Sequence, residues 1–114
     1  MSERINEEEF QQRAEAAISA LERVFGELAE KRDIDVELEG SVLTINFEEG
    51  GPGRFIVSPN SPARQIWVSA RVSSFKFDWS ADSQEFVLSG SDESLEGVMM
   101  RLTQEQLGET DSVF

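Results

Sequence analysis

Between residues 33 and 88 the chain repeats in twos, and that period decides what it can become. Asp33, Asp35, Glu37 and Glu39 alternate without a break with Ile34, Val36 and Leu38. Side chains of an extended strand point alternately to opposite faces, so one face of this first strand is apolar and the other is wholly carboxylate. Gly40 and Ser41 turn the chain, and a second strand over 42–47 puts Leu43, Ile45 and Phe47 on its core face. A third strand over 54–58 leads through a turn marked by Pro59, Asn60 and Pro62 into a fourth that ends at Ala70. In that fourth strand Ile66, Val68 and Ala70 share one face, while Gln65, Trp67 and Ser69 share the other. Phe75, Phe77 and Trp79 alternate inward in a fifth, and 86–88 form a short sixth. Parallel neighbours need a crossover of about a dozen residues or more, and short turns join these strands, so they must run antiparallel. The segment 48–53 reads as a flexible acidic hairpin loop and not as a phosphate cradle, because it has no Lys, no helix follows, and its acids repel phosphate.

A helix flanks the strands on each side. Asn6 is a good N-cap with Glu9 three residues on, and Ile5 and Phe10 stand at the spacing of a hydrophobic staple. From there to about Lys31, Phe10, Ala14, Ala17, Ile18, Leu21, Val24, Phe25 and Leu28 recur at steps of three and four, an apolar stripe that needs a sheet to lie on. A second helix is expected to be capped by Ser91, with Leu95, Val98, Met99 and Leu102 on its apolar face and Gly108 near its end. Gly97 is expected to weaken its middle by about 1 kcal/mol relative to Ala. Phe114 offers an apolar residue that could tuck back against the helices. The expected fold is therefore α+β, an α/β sandwich in the order helix, about six strands, helix, in one domain over residues 1–114. Both helices cover one face of a single twisted antiparallel sheet, and the other face, with Gln65 and Trp67, is left to solvent.

Charge and composition narrow the function. Against 10 basic residues stand 23 acidic ones, a net charge of -13, and this makes nucleic acid and anionic membrane surfaces poor partners. Neither Cys nor His occurs, which removes disulfides, zinc sites of thiolate and imidazole, thiolate-ligated iron–sulfur clusters, and Cys–His or Ser–His–Asp nucleophiles. Any metal must be held by oxygen, and oxygen ligands favour hard cations such as iron(III), calcium, magnesium and manganese, with iron(II) somewhat softer. With no apolar run of membrane-spanning length and an N-terminus too acidic for a signal peptide, a soluble, cytoplasmic protein is expected. An enzyme is not expected, because nothing in the pattern buries two carboxylates together as general acid–base work requires.

Two surfaces ask for a role. Along the first helix, Glu8, Gln12, Glu15, Ser19 and Glu22 form a stripe with no base of its own, and it runs on into Asp33, Asp35, Glu37 and Glu39. Such a ridge is either a solvated face, a weak site for a cation that keeps most of its hydration shell, or a dock for a basic protein surface. On the second surface, Trp67 is either packed under a neighbour or an interaction hot spot, the class in which Trp is most enriched.

The run Asn60-Ser61-Pro62 into Gln65-Ile66-Trp67-Val68-Ser69, followed by Phe77-Asp78-Trp79, resembles the frataxin family, in its bacterial, CyaY-type branch. Asp33-Ile34-Asp35, Gly40-Ser41-Val42-Leu43-Thr44-Ile45 and Gly108-Glu109-Thr110 extend the resemblance in the family's order over nearly the whole chain. It implies a frataxin-type sandwich that binds iron, Fe2+ or Fe3+, weakly and regulates iron–sulfur cluster assembly. The docking partners it implies are a cysteine desulfurase and its scaffold protein. It also implies that Glu22, Glu27, Asp33 and Asp35 are iron-binding ridge carboxylates, that Glu15 and Glu37 belong to the partner-binding surface, and that Gln65 and Trp67 make the sheet-face contact. Where bacterial relatives carry a denser acidic cluster late in the first helix, this chain has Arg23, Gly26, Ala29 and Lys31, which implies weaker iron binding, with Glu7, Glu8 and Glu9 in part replacement. A monomer is expected. The alternative is an acidic protein-interaction module with no physiological metal.

Overall fold

The computed structural model describes residues 5–48, 53–70 and 73–108. Helix α1 (Glu7–Ala29) is followed by β1 (Ile34–Glu39), β2 (Val42–Phe47), β3 (Gly53–Asn60), β4 (Gln65–Ala70), β5 (Ser73–Ser80) and β6 (Glu85–Leu88), then by α2 (Leu95–Leu107). The strands form one antiparallel sheet in chain order, β1-β2-β3-β4-β5-β6. Helix α1 lies chiefly over β1, β2 and β3, and α2 lies against β6. Both helices and the inward side chains of the sheet share one core, so one face is covered and the other is open.

The start of α1 follows from its first residues. Asn6 Oδ1 accepts from the Glu9 amide at 2.8 Å, which satisfies one of the amides that a helix start leaves free. Ile5, ahead of the cap, packs on the same core as the fully buried Phe10. Phe10, Ala14, Ile18, Leu21, Phe25 and Leu28 are buried, and each removes its apolar surface against the sheet. On the sheet side they meet Leu43, Ile45, Phe47, Phe55, Val57, Ile66, Val68 and Phe77, all buried, as the period of two requires.

Three expectations are corrected in detail. The turn between β3 and β4 is tighter than its prolines suggest: Pro59 and Asn60 still belong to β3, opposite Ile66 and Gln65, and the turn is 61–64. Asn60 organises it by accepting from the Ala63 amide at 2.9 Å. The cap of α2 is Ser94 and not Ser91. Residues after β6 stay paired to it, with the Leu88 amide donating to the Glu93 carbonyl and Val87 bridged to Ser94, so the helix cannot begin before Ser94. Ser91 instead accepts from the Glu93 amide inside that turn. Gly97 consequently lies in the first turn of α2, where its amide donates to Ser94 Oγ at 3.1 Å, and a mid-helix glycine penalty does not apply. Gly108 ends α2 at φ +69, the left-handed conformation that glycine adopts without strain. Phe114 and the centre of the 48–53 loop lie outside the described residues.

Two polar side chains of α2 are buried, Thr103 and Gln106. Thr103 Oγ1 donates to the Met99 carbonyl at 2.7 Å, which satisfies its hydroxyl within the helix. The Gln106 amide lies against the start of β3, where a Cβ on Gly53 would stand 2.8 Å from its Oε1; this close approach is why a glycine opens that strand.

The third correction concerns the aromatics of β5. All three point to the core side, but only Phe77 is fully buried; Phe75 and Trp79 are partly buried at its margin. Trp79 packs edge-on to Phe86 at 5.2 Å and carries the Arg13 guanidinium 4.9 Å above its ring. Trp79→Ala is therefore expected to cost about 2–3 kcal/mol, less than the about 3–5 kcal/mol of a fully buried large aromatic, as read from urea unfolding.

Candidate functional site

The open face is built from alternate residues of all six strands, and register decides which of them meet. Trp67 on β4 stands opposite Ser58 on β3 and Lys76 on β5. Glu39 stands opposite Val42, and the β2–β3 register carried one residue further places Val42 beside Ser58. One row across the face thus reads Glu39, Val42, Ser58, Trp67, Lys76. Val42 and Trp67, each 38% exposed, are the exposed large hydrophobic residues among those described, and they share this row with only the small Ser58 between them. The next row reads Glu37, Thr44, Ile56, Ser69, Ser74.

The carboxylates of β1 therefore belong to the same face as Trp67. Asp35, Glu37 and Glu39 are exposed on the edge strand, three strands from β4 and so about 14 Å away at the usual spacing of about 4.8 Å. Asp33, exposed just before β1, continues their parity. The helix carboxylates lie in the other layer. Glu15 and Glu27 are exposed and Glu22 is half-buried, all on α1, which packs over the opposite side of the sheet. Glu15 lines a cleft of about 430 Å³ between α1 and the turns after β1 and β3, with Ser19, Leu38, Ser41 and Ser61. The structure thus brings Asp35, Glu37, Gln65 and Trp67 onto one surface and keeps Glu15, Glu22 and Glu27 on another. Among the described residues no three carboxylates come together in a group that could hold a metal ion. No charged residue is buried among them either.

Trp67 is held in place from two sides. Its indole Nε1 donates to Gln65 Oε1 at 3.0 Å, and Gln65 Nε2 donates to Asp78 Oδ1 at 3.0 Å. Asp78 Oδ2 accepts from Ser89 Oγ at 2.6 Å. Lys76 Nζ lies 4.9 Å from the centroid of the Trp67 ring, within cation–π range. Further along the face, Arg54 Nε donates to Asn46 Oδ1 at 3.0 Å. Sequence reasoning assigned no site role to Val42, Lys76, Asp78 or Ser89. Parity alone puts Val42 on the outward face of its strand, since Leu43, Ile45 and Phe47 point inward; placing it in the row of Trp67 needs the register.

Comparison with known proteins bears on this arrangement. A family profile described as the frataxin-like domain matches residues 3–109. A protein of Stutzerimonas stutzeri named iron-sulfur cluster assembly protein CyaY is 35% identical over 105 residues, covering 92% of each chain. Proteins of the same name from Azotobacter vinelandii and Pseudomonas aeruginosa are 36% and 37% identical over 94 residues, covering 81% of this chain and 84% and 85% of theirs. The solved structure of frataxin from Psychromonas ingrahamii superposes with a TM-score of 0.72 over 96% of this chain and 99% of that one; at 22% identity this likeness concerns the fold alone. With a two-helix layer on a six-stranded antiparallel meander and a family match that spans almost every residue, the chain belongs to the frataxin family, in its bacterial, CyaY-type branch.

Proposed function

We propose that this protein regulates iron–sulfur cluster assembly in the cytoplasm by docking, as a monomer, on a cysteine desulfurase and its scaffold, and that it carries iron weakly on its acidic edge. The observation that carries the docking is the pairing of Trp67 with Val42, the exposed large hydrophobic residues among those described, on an open sheet face. Large aromatics at such positions are the usual hot spots of protein interfaces. The name shared by the relatives, iron-sulfur cluster assembly protein, supports the process. The exposed carboxylates of β1 supply the complement to a basic partner surface and steer its approach. The role in this reading is non-catalytic. No helix among those residues is long and apolar enough to cross a membrane.

Iron is cargo in this reading. Glu22, Glu27, Asp33 and Asp35 offer hard oxygen donors that are spread over two layers, so each ion meets one or two carboxylates and keeps most of its water. A second reading, docking without any physiological metal, draws on one observation: the described residues hold no group of three carboxylates that could take an ion.

The full chain, immobilised and presented with a purified cysteine desulfurase and scaffold, is expected to retain the complex; failure to retain it would remove the docking reading. Anaerobic iron titration followed by calorimetry and amide NMR is expected to give micromolar or weaker binding with shifts in α1 and β1 at moderate ionic strength. Nanomolar, one-to-one binding would overturn an open ridge, and no shift at any iron concentration would leave the metal-free reading.

A further inference from the structure

We infer that Asp78 is a positioning residue for docking: acting through the Gln65 amide, it holds the Trp67 indole in the pose that a partner meets. The inference rests on the reading of the Trp67 face as the docking surface, and it concerns a residue that this reading does not itself require.

The polarity of the hydrogen-bond chain allows one arrangement only. An indole N–H can donate and cannot accept, while an ionised carboxylate can accept and cannot donate. Gln65 stands between the two, and its amide has one end of each kind. With Asp78 on one side, Nε2 must turn to the carboxylate and Oε1 must turn to the indole, which is the observed geometry at 3.0 Å on both sides. Without Asp78 the amide is free to turn over, and its NH2 group would then face the indole N–H, donor against donor. Asp78 is in turn anchored by Ser89, whose hydroxyl donates to Oδ2 at 2.6 Å and whose amide donates to the Lys76 carbonyl at 2.9 Å. The turn after β6 is thereby tied to β5, and β5 to β4, along one line that ends at the indole.

Position shows why this line bears on docking more than on stability. Asp78, Ser89 and Trp67 are all exposed, so breaking their bonds uncovers no core, and water can take over the freed groups. What water cannot supply is a fixed rotamer. An exposed Trp left to choose among rotamers must be immobilised when a partner binds, and that entropy reduces affinity; a Trp already held avoids the loss.

The test uses the full chain labelled with nitrogen-15, in which the two indole N–H signals are assigned by Trp67→Phe. In Asp78→Ala the Trp67 indole signal is expected to shift and its heteronuclear NOE to fall, while circular dichroism and the melting transition stay near those of the parent. Affinity for a purified cysteine desulfurase with its scaffold should drop about threefold to tenfold, the range for immobilising one side chain. Asp78→Asn keeps an oxygen that can accept from Gln65 and should restore most of both signals, and Ser89→Ala should shift the indole in the same direction by less. An unchanged indole in a folded Asp78→Ala protein overturns the inference. So does a shifted indole with parental affinity while Trp67→Ala still weakens docking. If Trp67→Ala itself docks like the parent, the docking reading fails and takes the inference with it, a result that this control tells apart from the other two.

Discussion

Trp67→Ala is expected to leave the fold in place and to weaken docking on a cysteine desulfurase and scaffold by about thirtyfold or more, the equivalent of a hot spot worth about 2 kcal/mol. The indole is 38% exposed on a face that no other described residue of the chain covers, so its removal opens no cavity and the melting temperature should hardly move. In the complex the same ring would be desolvated, and its loss should appear as faster dissociation with little dependence on salt. Charge reversal at Asp35 or Glu37 should behave in the opposite way, slowing association and doing so most at low ionic strength. Although both sets lie on one face, about 14 Å separates β1 from β4, beyond the range of about 7–10 Å within which substitutions couple strongly. The double variant Trp67→Ala with Glu37→Lys should therefore be close to additive. A large loss of stability in Trp67→Ala, or parental docking with an intact fold, would contradict this picture.

The second large effect is one of stability. Phe77→Ala should cost about 3–5 kcal/mol, because Phe77 is fully buried on the helix-covered face, between Ile66 on β4 and Leu88 on β6. For a domain of this size that is a large part of a total of about 5–15 kcal/mol. Its neighbour on the same strand gives the contrast: Lys76 points the other way, and Lys76→Ala should change stability by no more than about 0.5 kcal/mol. Urea unfolding of the two variants, with equal slopes and very different midpoints, would check the alternation directly. Comparable losses in both would mean that β5 is not two-faced.

Much of this architecture could be read because its signals are local. The carboxylate-aliphatic alternation over 33–39, the Asn6 cap and the stripe from Phe10 to Leu28 each state their own structure within a few residues, and each appears where it was expected. The cap of α2 is not legible locally, for the opposite reason. Ser91 and Ser94 are equally good caps by composition, and what selects Ser94 is the pairing of 93–94 with the end of β6, a contact that no local pattern records. The margins of the core were also beyond local reading: alternation turns Trp79 inward, but how deeply it is covered depends on where α1 runs relative to the end of β5. At the candidate site, the facing of Gln65 and Trp67 follows from period two. Their link to Asp78, thirteen positions away from Gln65, follows only from the β4–β5 register, and Val42 joins Trp67 only through two registers taken together.

The order of the strands has a consequence for how the chain reaches this state. Every strand pairs with the one before it, so each hairpin closes over a short loop and none waits for a distant segment; hairpins of this kind form in about 1–10 μs. Helix α1 is made first, yet its buried stripe finds its floor only when β1, β2 and β3 have paired, and α2 reaches β6 last of all. During synthesis at about 5–20 residues per second, the inward face of β6 therefore stands open for about a second or more before the second helix exists to lie on it. The vulnerable period of this fold is set by the wait for α2, and a chain stalled before Leu95 would present to its surroundings the core side chains that α2 covers once Leu95, Val98, Met99 and Leu102 are in place.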